Sequence, residues 1–383
     1  MAKQVSYGMV GGDIHAFIGE VHRKALNFDT RCELVAGCFS RKNNLNKETG
    51  DAYCVESDRL YSDYKTMAAD ESARKDGIDF VVITTPNSTH YEIAKEFLLS
   101  GINVVCEKPL CFEIEEAEEL KAIAEEKALI FGVTYAYTGY TMVKVAKEMI
   151  ANGQIGEIIS INAEYAQDWL LDELSKEHEQ GAKNLSIWRT DPKVSGVSNC
   201  VGDIGSHMEN MIHYLTGLSI KRLSATVNNY GHALDLNANM LVEFSNGANG
   251  AYWCSQIAAG RMNGLLVRIY GTEGSIEWEQ HFPDYIKFSK RGQATQILSR
   301  SNSYIKEAAS SFGRIPCGHP EGYYICFANT YKNIINSIIM KKNGHELTPA
   351  DMDFQTVEDG LNGVKFVHAV IESAKNDSKW VIF

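Results

Sequence analysis

Two short segments of the chain carry side chains that can move protons. The first is Glu107-Lys108-Pro109, which follows the apolar run 103–106. A short valine-rich run without a helical period is typical of a buried parallel strand, and Pro109 would end its ladder of hydrogen bonds. Lys108 would then lie at the carboxyl edge of a sheet, where open α/β sheets bind ligands and a partly desolvated amine suits acid/base chemistry. The alternative is an ordinary surface lysine after a strand.

The second segment is 202–207, with the sequence Gly-Asp-Ile-Gly-Ser-His. It opens a predicted helix that runs to Leu215 and ends at Gly217. In helical geometry Asp203 and His207 are one turn apart and share a face. The dipole at the helix start favours the aspartate anion and disfavours imidazolium, which suits a neutral histidine acting as a base. A single histidine at a helix start is more often structural, but the aspartate one turn before it favours the catalytic interpretation.

The elements that must position these segments begin with alternating strands and helices over residues 1–135, which predicts a doubly wound parallel sheet. The first strand, 5–10, leads into a turn where a dinucleotide fingerprint G-x-G-x-x-G/A is expected. Gly11 fits the first glycine and Ala16 the closing small residue, but Asp13 replaces the middle glycine. That glycine lets the backbone approach a pyrophosphate, and a carboxylate in its place repels the phosphates unless it is turned away.

A resemblance to a known family rests on Glu107-Lys108-Pro109 and the segment 202–207, in this order after an N-terminal glycine turn. The chain resembles the glucose–fructose oxidoreductase / inositol dehydrogenase (Gfo/Idh/MocA) family over nearly its whole length. The resemblance implies a Rossmann-type domain at 1–135 that binds NAD or NADP. It also implies a substrate-binding α+β domain at 136–383 with a large, mostly antiparallel open sheet. The C-terminal helices would pack back on the first domain, and another copy of the chain would cover the outer face of the large sheet in a homo-oligomer.

The resemblance implies which residues hold the cofactor. The second predicted strand, 33–39, ends in Ser40-Arg41-Lys42, without the acidic residue that takes the ribose hydroxyls in many NAD sites. Arg41 and Lys42 either accept a 2′-phosphate, which slightly favours NADP, or are solvated loop cations. His90 has helix capping or packing as its alternative role. The implied cofactor-binding residues are Gly11, Gly12, Ala16, Phe17, Ile18, Ser40, Arg41, Thr85, Pro86, Asn87, His90, Glu107, Lys108, Trp188 and Arg189.

The resemblance also implies the reaction, which is oxidation of a secondary hydroxyl of a sugar, glycoside or cyclic polyol to a ketone. In the implied catalytic set, His207 is the general base, Lys108 polarises the reacting oxygen and Asp203 orients the sugar. Tyr137 belongs to an aromatic stretch that suits either the face of a sugar or hinge packing. The implied substrate-binding residues are Lys108, Tyr137, Gln167, Trp169, Asp203, His207 and His319.

Three further segments, Gln-Asp-Trp at 167–169, Trp-Arg at 188–189 and Gly-His-Pro-Glu-Gly at 318–322, refine the resemblance. They are similar to those of a family branch that oxidises glucosides or anhydrosugars, with the 3-hydroxyl as one candidate position. Myo-inositol is the next candidate substrate. The segments do not decide which hydroxyl reacts.

Composition limits the class of partner. A net charge of −12 argues against nucleic acid or an anionic membrane as the main partner. The nine cysteines include no Cys-x-x-Cys pair, so no zinc site or thioredoxin-like motif is indicated and no metal is expected. The simplest account of these cysteines is that they are reduced thiols in a cytoplasm. The N-terminus lacks the apolar core of a signal peptide, and no apolar run approaches the length of a membrane span.

Two other functions stay open at the level of sequence. Some members of the family retain the cofactor and use transient oxidation for a redox-neutral reaction, such as glycosidic cleavage or epimerisation. A non-catalytic sugar or nucleotide sensor is the other alternative. The complete set of Lys108, Asp203 and His207 argues against a sensor, because a sensor does not need acid/base groups.

Overall fold

The protein is described by a computed structural model that covers residues 5–171 and 191–383. The chain divides into two compact units. Unit 1 comprises Met1–Gly139 and Tyr323–Leu361, and unit 2 comprises Tyr140–Gly322 and Asn362–Phe383. Both units are therefore built from two separate stretches of chain.

The α-helices, in chain order, are α1 (Phe17–Asn27), α2 (Asn43–Tyr53), α3 (Tyr64–Ala73), α4 (His90–Leu99), α5 (Ile114–Glu126), α6 (Thr141–Ala151), α7 (Pro192–Ser195), α8 (Ser206–Thr216), α9 (Tyr323–Lys342) and α10 (Val357–Lys375). Short 3-10 turns cover Ser57–Arg59, Asn87–Thr89, Ala136–Gly139, Ala308–Phe312 and Pro349–Met352. Within the described ranges, none of these helices is long and apolar enough to cross a bilayer.

Unit 1 contains a five-stranded sheet in which every strand is parallel to its neighbour. Its strands are β1 (Val5–Gly11), β2 (Cys32–Cys38), β3 (Phe80–Thr84), β4 (Asn103–Cys106) and β5 (Phe131–Val133), in the spatial order β2-β1-β3-β4-β5. A single parallel bridge joins Gly37 to Leu60 beyond β2. Counting Leu60 as a rudimentary strand gives the order 3-2-1-4-5-6 of dinucleotide-binding sheets. The predicted doubly wound sheet is confirmed.

Unit 2 contains a nine-stranded sheet, mostly antiparallel as predicted, with one parallel pair, β6–β9. Its spatial order is β13-β12-β11-β10-β6-β9-β8-β7-β14. The strands are β6 (Ile158–Ala166), β7 (Ile220–Asn228), β8 (Asn237–Phe244), β9 (Asn249–Ser255), β10 (Gly264–Gly271), β11 (Gly274–Glu279), β12 (Tyr285–Lys290), β13 (Gln296–Ser299) and β14 (Val381–Ile382).

The two faces of this large sheet differ in exposure. Strand β8 alternates buried Met240 and Val242 with exposed Leu241, so one face lies in the core and the other points outward. Apolar Met208, Met211 and Leu215 of α8 are buried in the same unit. Exposed apolar side chains such as Leu241 and Ile297 lie on strands of this sheet. Homo-oligomerisation through the outer face stays a prediction.

The glycines at 12 and 19 bring β1 and α1 into close contact. Gly12 has a φ of 75°, and a Cβ on Gly19 would overlap the Gly12 Cα and lie 3.0 Å from its carbonyl carbon. The packing glycine of the dinucleotide turn is therefore Gly19. This close approach lies one helical turn after Ala16, the residue predicted to close the motif.

Gly19→Ala should destabilise unit 1, because the added methyl group meets backbone atoms that cannot rotate away. Overpacking of this kind costs about 1–3 kcal/mol. Urea unfolding followed by circular dichroism measures the loss. Gly50→Ala is the matched control, since its Cβ meets only the end of the flexible Leu60 side chain. Equal stability of the two variants would contradict the close-packing role of Gly19.

Candidate active site

The glycine turn after β1 has the geometry of a pyrophosphate cradle. Gly11 has a φ of 79°, and a Cβ there would lie 3.0 Å from the carbonyl carbon and oxygen of Thr84 at the end of β3. The turn therefore lies where strand order reverses in the sheet, between β1 and β3, and it leads into the N-terminus of α1. Backbone N–H groups at a helix N-terminus bind phosphate. These features fit a nicotinamide dinucleotide.

Asp13 departs from this pattern in a specific way. Its Oδ1 accepts a hydrogen bond from the backbone N–H of His15 at 3.0 Å, and its carbonyl oxygen accepts from Ala16 N at 2.8 Å. The carboxylate therefore already accepts a hydrogen bond from the His15 N–H, which is one of the backbone donors of the turn. The carboxylate points at the loop backbone. There it competes with a phosphate for backbone N–H groups.

The end of β2 presents the residues predicted to meet the ribose. Asn46 of α2 accepts hydrogen bonds from the backbone of Phe39 at 2.8 Å and of Ser40 at 3.3 Å, which fixes the strand end. Ser40 is half-buried and its hydroxyl accepts from Lys42 N at 3.4 Å. Arg41 and Lys42 are exposed. A cation at this position is open to a 2′-phosphate.

His90 connects the loop after β3 to the loop after β4. Its Nδ1 lies 2.8 Å from the Pro109 carbonyl and its Nε2 lies 2.9 Å from the Thr85 carbonyl, and the ring is fully buried. Burial lowers the pKa of His90, although both carbonyl contacts oppose this. Since both ring nitrogens are occupied by the backbone, the geometry favours the packing alternative, in which His90 holds Thr85-Pro86-Asn87 beside Lys108-Pro109.

Glu107 is the centre of a buried polar chain in unit 1. Its Oε1 accepts from His22 Nε2 at 2.9 Å and from Thr134 Oγ1 at 2.6 Å, and its Oε2 accepts from Lys108 N at 3.1 Å. His22 Nδ1 lies 2.5 Å from the Tyr331 hydroxyl. Burial alone raises the pKa of the Glu107 carboxyl, but hydrogen bonds from His22 and Thr134 hold that pKa below its usual range.

This chain explains what the Glu107 side chain does. It binds the backbone of Lys108 and ties the motif to α1 through His22 and to α9 through Tyr331. Glu107 as a whole is 8% exposed, so its part in cofactor binding would be indirect. Lys108 is half-buried at the sheet edge, as the strand pattern predicted.

Aromatic rings lie beside the glycine turn. Phe17, at the start of α1, is 67% exposed and stacks on Tyr323 at 6.4 Å between ring centroids. Tyr137 packs on the same Tyr323 ring at 6.1 Å. Tyr137 is buried, so the packing interpretation has direct support in unit 1.

In unit 2, Asp203 and His207 are the accessible residues of a buried segment. Within residues 201–210 they are the two half-exposed side chains, and the other eight are buried. Asp203 lies in a π-helical turn, Val201–Gly205, that precedes α8, and π turns are common at functional sites. The turn that carries Asp203 is therefore wider than the α-helical turn expected from the sequence.

Neighbouring side chains contact both residues. Asp203 Oδ2 accepts from Gln256 Nε2 at 2.9 Å, and the His207 ring lies 6.0 Å from that of Tyr165. Two predicted substrate residues belong to one network, in which Trp169 Nε1 donates to Gln167 Oε1 at 2.8 Å and Gln167 Nε2 donates to Asn263 Oδ1 at 2.7 Å. Tyr165 donates to the same Asn263 oxygen at 2.7 Å.

The loop that carries His319 is organised by Arg300. This arginine is 3% exposed and donates to the carbonyls of Ile315 at 2.7 Å and His319 at 2.5 Å. It pairs with Asp284 at 2.8 Å and Glu321 at 3.2 Å. His319 itself is exposed on the loop. Trp188 and Arg189 lie outside the described residues.

Sequence reasoning missed the polar partners of the site, which are the buried His22, Thr134, Tyr331, Gln256 and Arg300 and the half-buried Asn263. Each is defined by a partner far away in the chain. A histidine or amide inside an apolar element carries no local sign of what it will contact. Gly19 did carry a sign, because a glycine in the first turns of a helix costs stability unless close packing requires it.

Asp13→Gly should bind the cofactor more tightly, because it frees the His15 N–H and removes a negative charge. One hydrogen bond of about 0.5–1.5 kcal/mol corresponds to a roughly 2- to 12-fold lower Kd. Calorimetric titration with NAD and with NADP measures it. Asp13→Asn separates the two effects, since its amide oxygen can still accept from His15 while the charge is lost. Unchanged or weaker binding by Asp13→Gly would count against the competition.

Glu107→Gln should reduce stability at neutral pH by about 1.5–3 kcal/mol, the worth of hydrogen bonds to a charged group. Because the pKa of Glu107 is held below its usual range, its stabilisation is complete above the ordinary glutamate value of about 4.3 and is lost as the pH falls through the lowered pKa. The variant should therefore lose less stability on acidification than the wild type.

Urea unfolding of both proteins at neutral and acid pH measures this difference. Glu115→Gln, on the exposed side of α5, is the control. Parallel losses of stability in wild type and Glu107→Gln on acidification would contradict the ionised, paired state of Glu107.

Comparisons with known proteins agree with this geometry. Residues 5–135 match the profile of the oxidoreductase family with an NAD-binding Rossmann fold, and residues 143–277 match the GFO/IDH/MocA C-terminal domain. The chain is 34% identical to the uncharacterized oxidoreductase YfiI of Bacillus subtilis, covering 100% of this chain and 98% of that protein.

Two further proteins are similar over most of the chain. The levoglucosan dehydrogenase of Pseudarthrobacter phenanthrenivorans is 30% identical over 84% of this chain and 82% of its own. The crystal structure of an inositol dehydrogenase homologue from Azotobacter vinelandii, complexed with NAD+, has a TM-score of 0.92 at 34% identity, covering 100% of this chain and 98% of that one. The chain therefore belongs to the Gfo/Idh/MocA family of oxidoreductases, with an NAD-binding Rossmann domain in unit 1.

Proposed function

We propose that the chain oxidises a secondary hydroxyl of a sugar, glycoside or cyclic polyol to a ketone, with NAD or NADP as the acceptor. The observation that carries the proposal is the pair Asp203 and His207, the two half-exposed side chains in the otherwise buried segment 201–210. An accessible aspartate and an accessible histidine provide a hydrogen-bond acceptor for a substrate hydroxyl and a base for its proton.

Each residue of the catalytic set has one role. When bound, the nicotinamide supplies the hydride acceptor. His207 takes the proton of the reacting hydroxyl, and Lys108 donates a hydrogen bond to the same oxygen, which stabilises negative charge as it develops there. Asp203 accepts from a substrate hydroxyl and orients the ring. Loss of one hydride and one proton from a secondary alcohol gives a ketone.

The geometry of unit 1 supports the proposed cofactor residues. Gly11, Gly12 and the N-terminus of α1 would hold the pyrophosphate, and Ser40 and Arg41 would meet the adenosine ribose. Thr85, Pro86 and Asn87 would contact the cofactor from the loop that His90 holds. The absence of an acidic residue at 40–42 leaves both NAD and NADP as cofactors to be tested.

The substrate class rests on the site and on the relatives. Gln167, Trp169 and His319 would add polar and aromatic contacts suited to a polyhydroxylated ring. One relative is named a levoglucosan dehydrogenase, and a similar solved structure, 33% identical with a TM-score of 0.90, holds NADH and myo-inositol. Glucosides and anhydrosugars, with reaction at the 3-hydroxyl, and inositols are therefore the first candidates.

The proposal is tested by absorbance at the reduced-nicotinamide band. Purified protein is mixed with NAD or NADP and a panel of inositols, free sugars, glucosides and anhydrosugars. We expect reduction with one cofactor and one group of substrates. Absence of reduction, with a cofactor that stays bound through dialysis, would favour the redox-neutral alternative. Absence of both reduction and bound cofactor would overturn the proposal.

Lys108→Ala and His207→Ala should each lower kcat by about 10²–10⁴-fold, the usual worth of a positioned acid or base. His207→Ala should keep its affinity for the cofactor, because the residues proposed to hold the pyrophosphate and the ribose, Gly11, Gly12, Ser40 and Arg41, do not include His207. Lys127→Ala and His345→Ala, both exposed in unit 1, are the matched controls. Turnover within a few-fold of wild type for either catalytic variant would rule out its assigned role.

A further inference from the structure

The Asp203 carboxylate is held from inside unit 2 by two buried amides. Gln256 Nε2 donates to Asp203 Oδ2 at 2.9 Å, and Asn199 Nδ2 donates to Gln256 Oε1 at 2.7 Å. Gln256 is fully buried and Asn199 is 2% exposed. We call Asn199 and Gln256 the amide relay.

The amide relay has a defined direction. A carboxylate only accepts hydrogen bonds, whereas a glutamine amide has one donor end and one acceptor end. Because the Asn199 amide nitrogen occupies the oxygen of Gln256, the nitrogen of Gln256 is the end directed at Asp203. A reversed glutamine would place its oxygen against the Asp203 carboxylate and its nitrogen against the Asn199 nitrogen, with both bonds lost.

The backbone around the relay is also fixed. Asn199 Nδ2 donates a second bond to the Asp235 carbonyl at 3.1 Å, and the Asp235 carboxylate accepts from Asn199 N at 2.9 Å and Val201 N at 2.8 Å. Gln256 N donates to Leu236 O at 2.9 Å, and Gln256 O accepts from Leu170 N at 3.0 Å. Both amides therefore extend from anchored backbone, on two separate stretches of the chain.

We infer that Gln256 is a positioning residue for the Asp203 carboxylate, with Asn199 setting the direction of its amide. This inference rests on the proposed role of Asp203. Asp203 is half-exposed and lies in a π turn. Without the hydrogen bond from Gln256, its carboxylate would lose rotamer freedom each time a substrate hydroxyl binds. The hydrogen bond from the buried Gln256 removes that freedom before the substrate binds. The carboxylate is then already oriented to accept a hydrogen bond from the sugar.

The main test is Gln256→Glu, which keeps the size of the side chain and the oxygen that accepts from Asn199. It replaces the amide donor to Asp203 by a carboxyl oxygen, which repels the Asp203 carboxylate unless the new side chain is protonated. We expect kcat to fall by about 10²-fold, the cost of a displacement of about 1 Å in a catalytic group. The Kd for the cofactor, measured by calorimetry, should not change.

Gln154→Glu is the matched control in the same unit. Gln154 Nε2 donates to Glu307 Oε1 at 2.6 Å, so the substitution makes the same chemical change against another carboxylate. Its stability should fall while kcat stays as in the wild type. If Gln256→Glu does not fold, Gln256→Met removes the donor without adding charge. Wild-type kcat in a folded Gln256→Met variant would overturn the inference.

A double-mutant cycle distinguishes a relay from two separate packing residues. Asn199→Ala and Gln256→Met should each lower kcat, and the double variant should lose little more than the worse single variant, because both act through one hydrogen bond to Asp203. Full additivity of the two losses in kcat would contradict the relay.

A crystal structure of Gln256→Met separates this inference from the proposed function. We expect the Asp203 carboxylate to rotate away from its wild-type direction. An unchanged carboxylate would overturn the inference, whatever the activity. A rotated carboxylate, in a protein whose wild type reduces no cofactor with any sugar or polyol of the panel, would support the relay and count against the proposed function alone.

Discussion

The pairing of the buried Glu107 carboxylate is the interaction on which the rest of unit 1 depends. A buried ionised group is costly unless it is fully hydrogen-bonded, and Glu107 gains its partners from α1, from the chain after β5 and from its own motif. Tyr331 extends the same chain to α9. The loop that presents Lys108 is therefore in place only when the helices around the sheet are in place.

The fold could be predicted where burial imposes a simple pattern. Strand β4 coincides with the valine-rich run 103–106 from which a buried parallel strand is predicted, and its Val104, Val105 and Cys106 are buried. Strands β12 and β13 were missed. They carry Lys287, Lys290 and Gln296 on exposed positions. Each strand is held by pairing with its neighbour, and the residues of the strand itself give no sign of that pairing.

The residues of the site also fall into those that could be predicted from the sequence and those that could not. Lys108, Asp203 and His207 could be proposed from the sequence because their types and the elements beside them suggest chemistry. Gln256, Asn199 and Arg300 could not, because each acts through a hydrogen bond to a distant stretch of chain. His90 illustrates the opposite error, in which a residue type suggests a role that its contacts do not support. Both of its ring nitrogens contact backbone carbonyls, although the residue lies beside a predicted cofactor loop.

The division of unit 1 between Met1–Gly139 and Tyr323–Leu361 has a consequence for how the chain is made. Helix α9, which packs on α1 and supplies Tyr331, leaves the ribosome only after all of residues 140–322. At about 5–20 residues per second, that interval lasts about 10–40 s. Throughout it the nascent Rossmann sheet lacks the packing of α9 on α1 and the Tyr331 partner of His22 Nδ1, so its completion is necessarily a late event in synthesis.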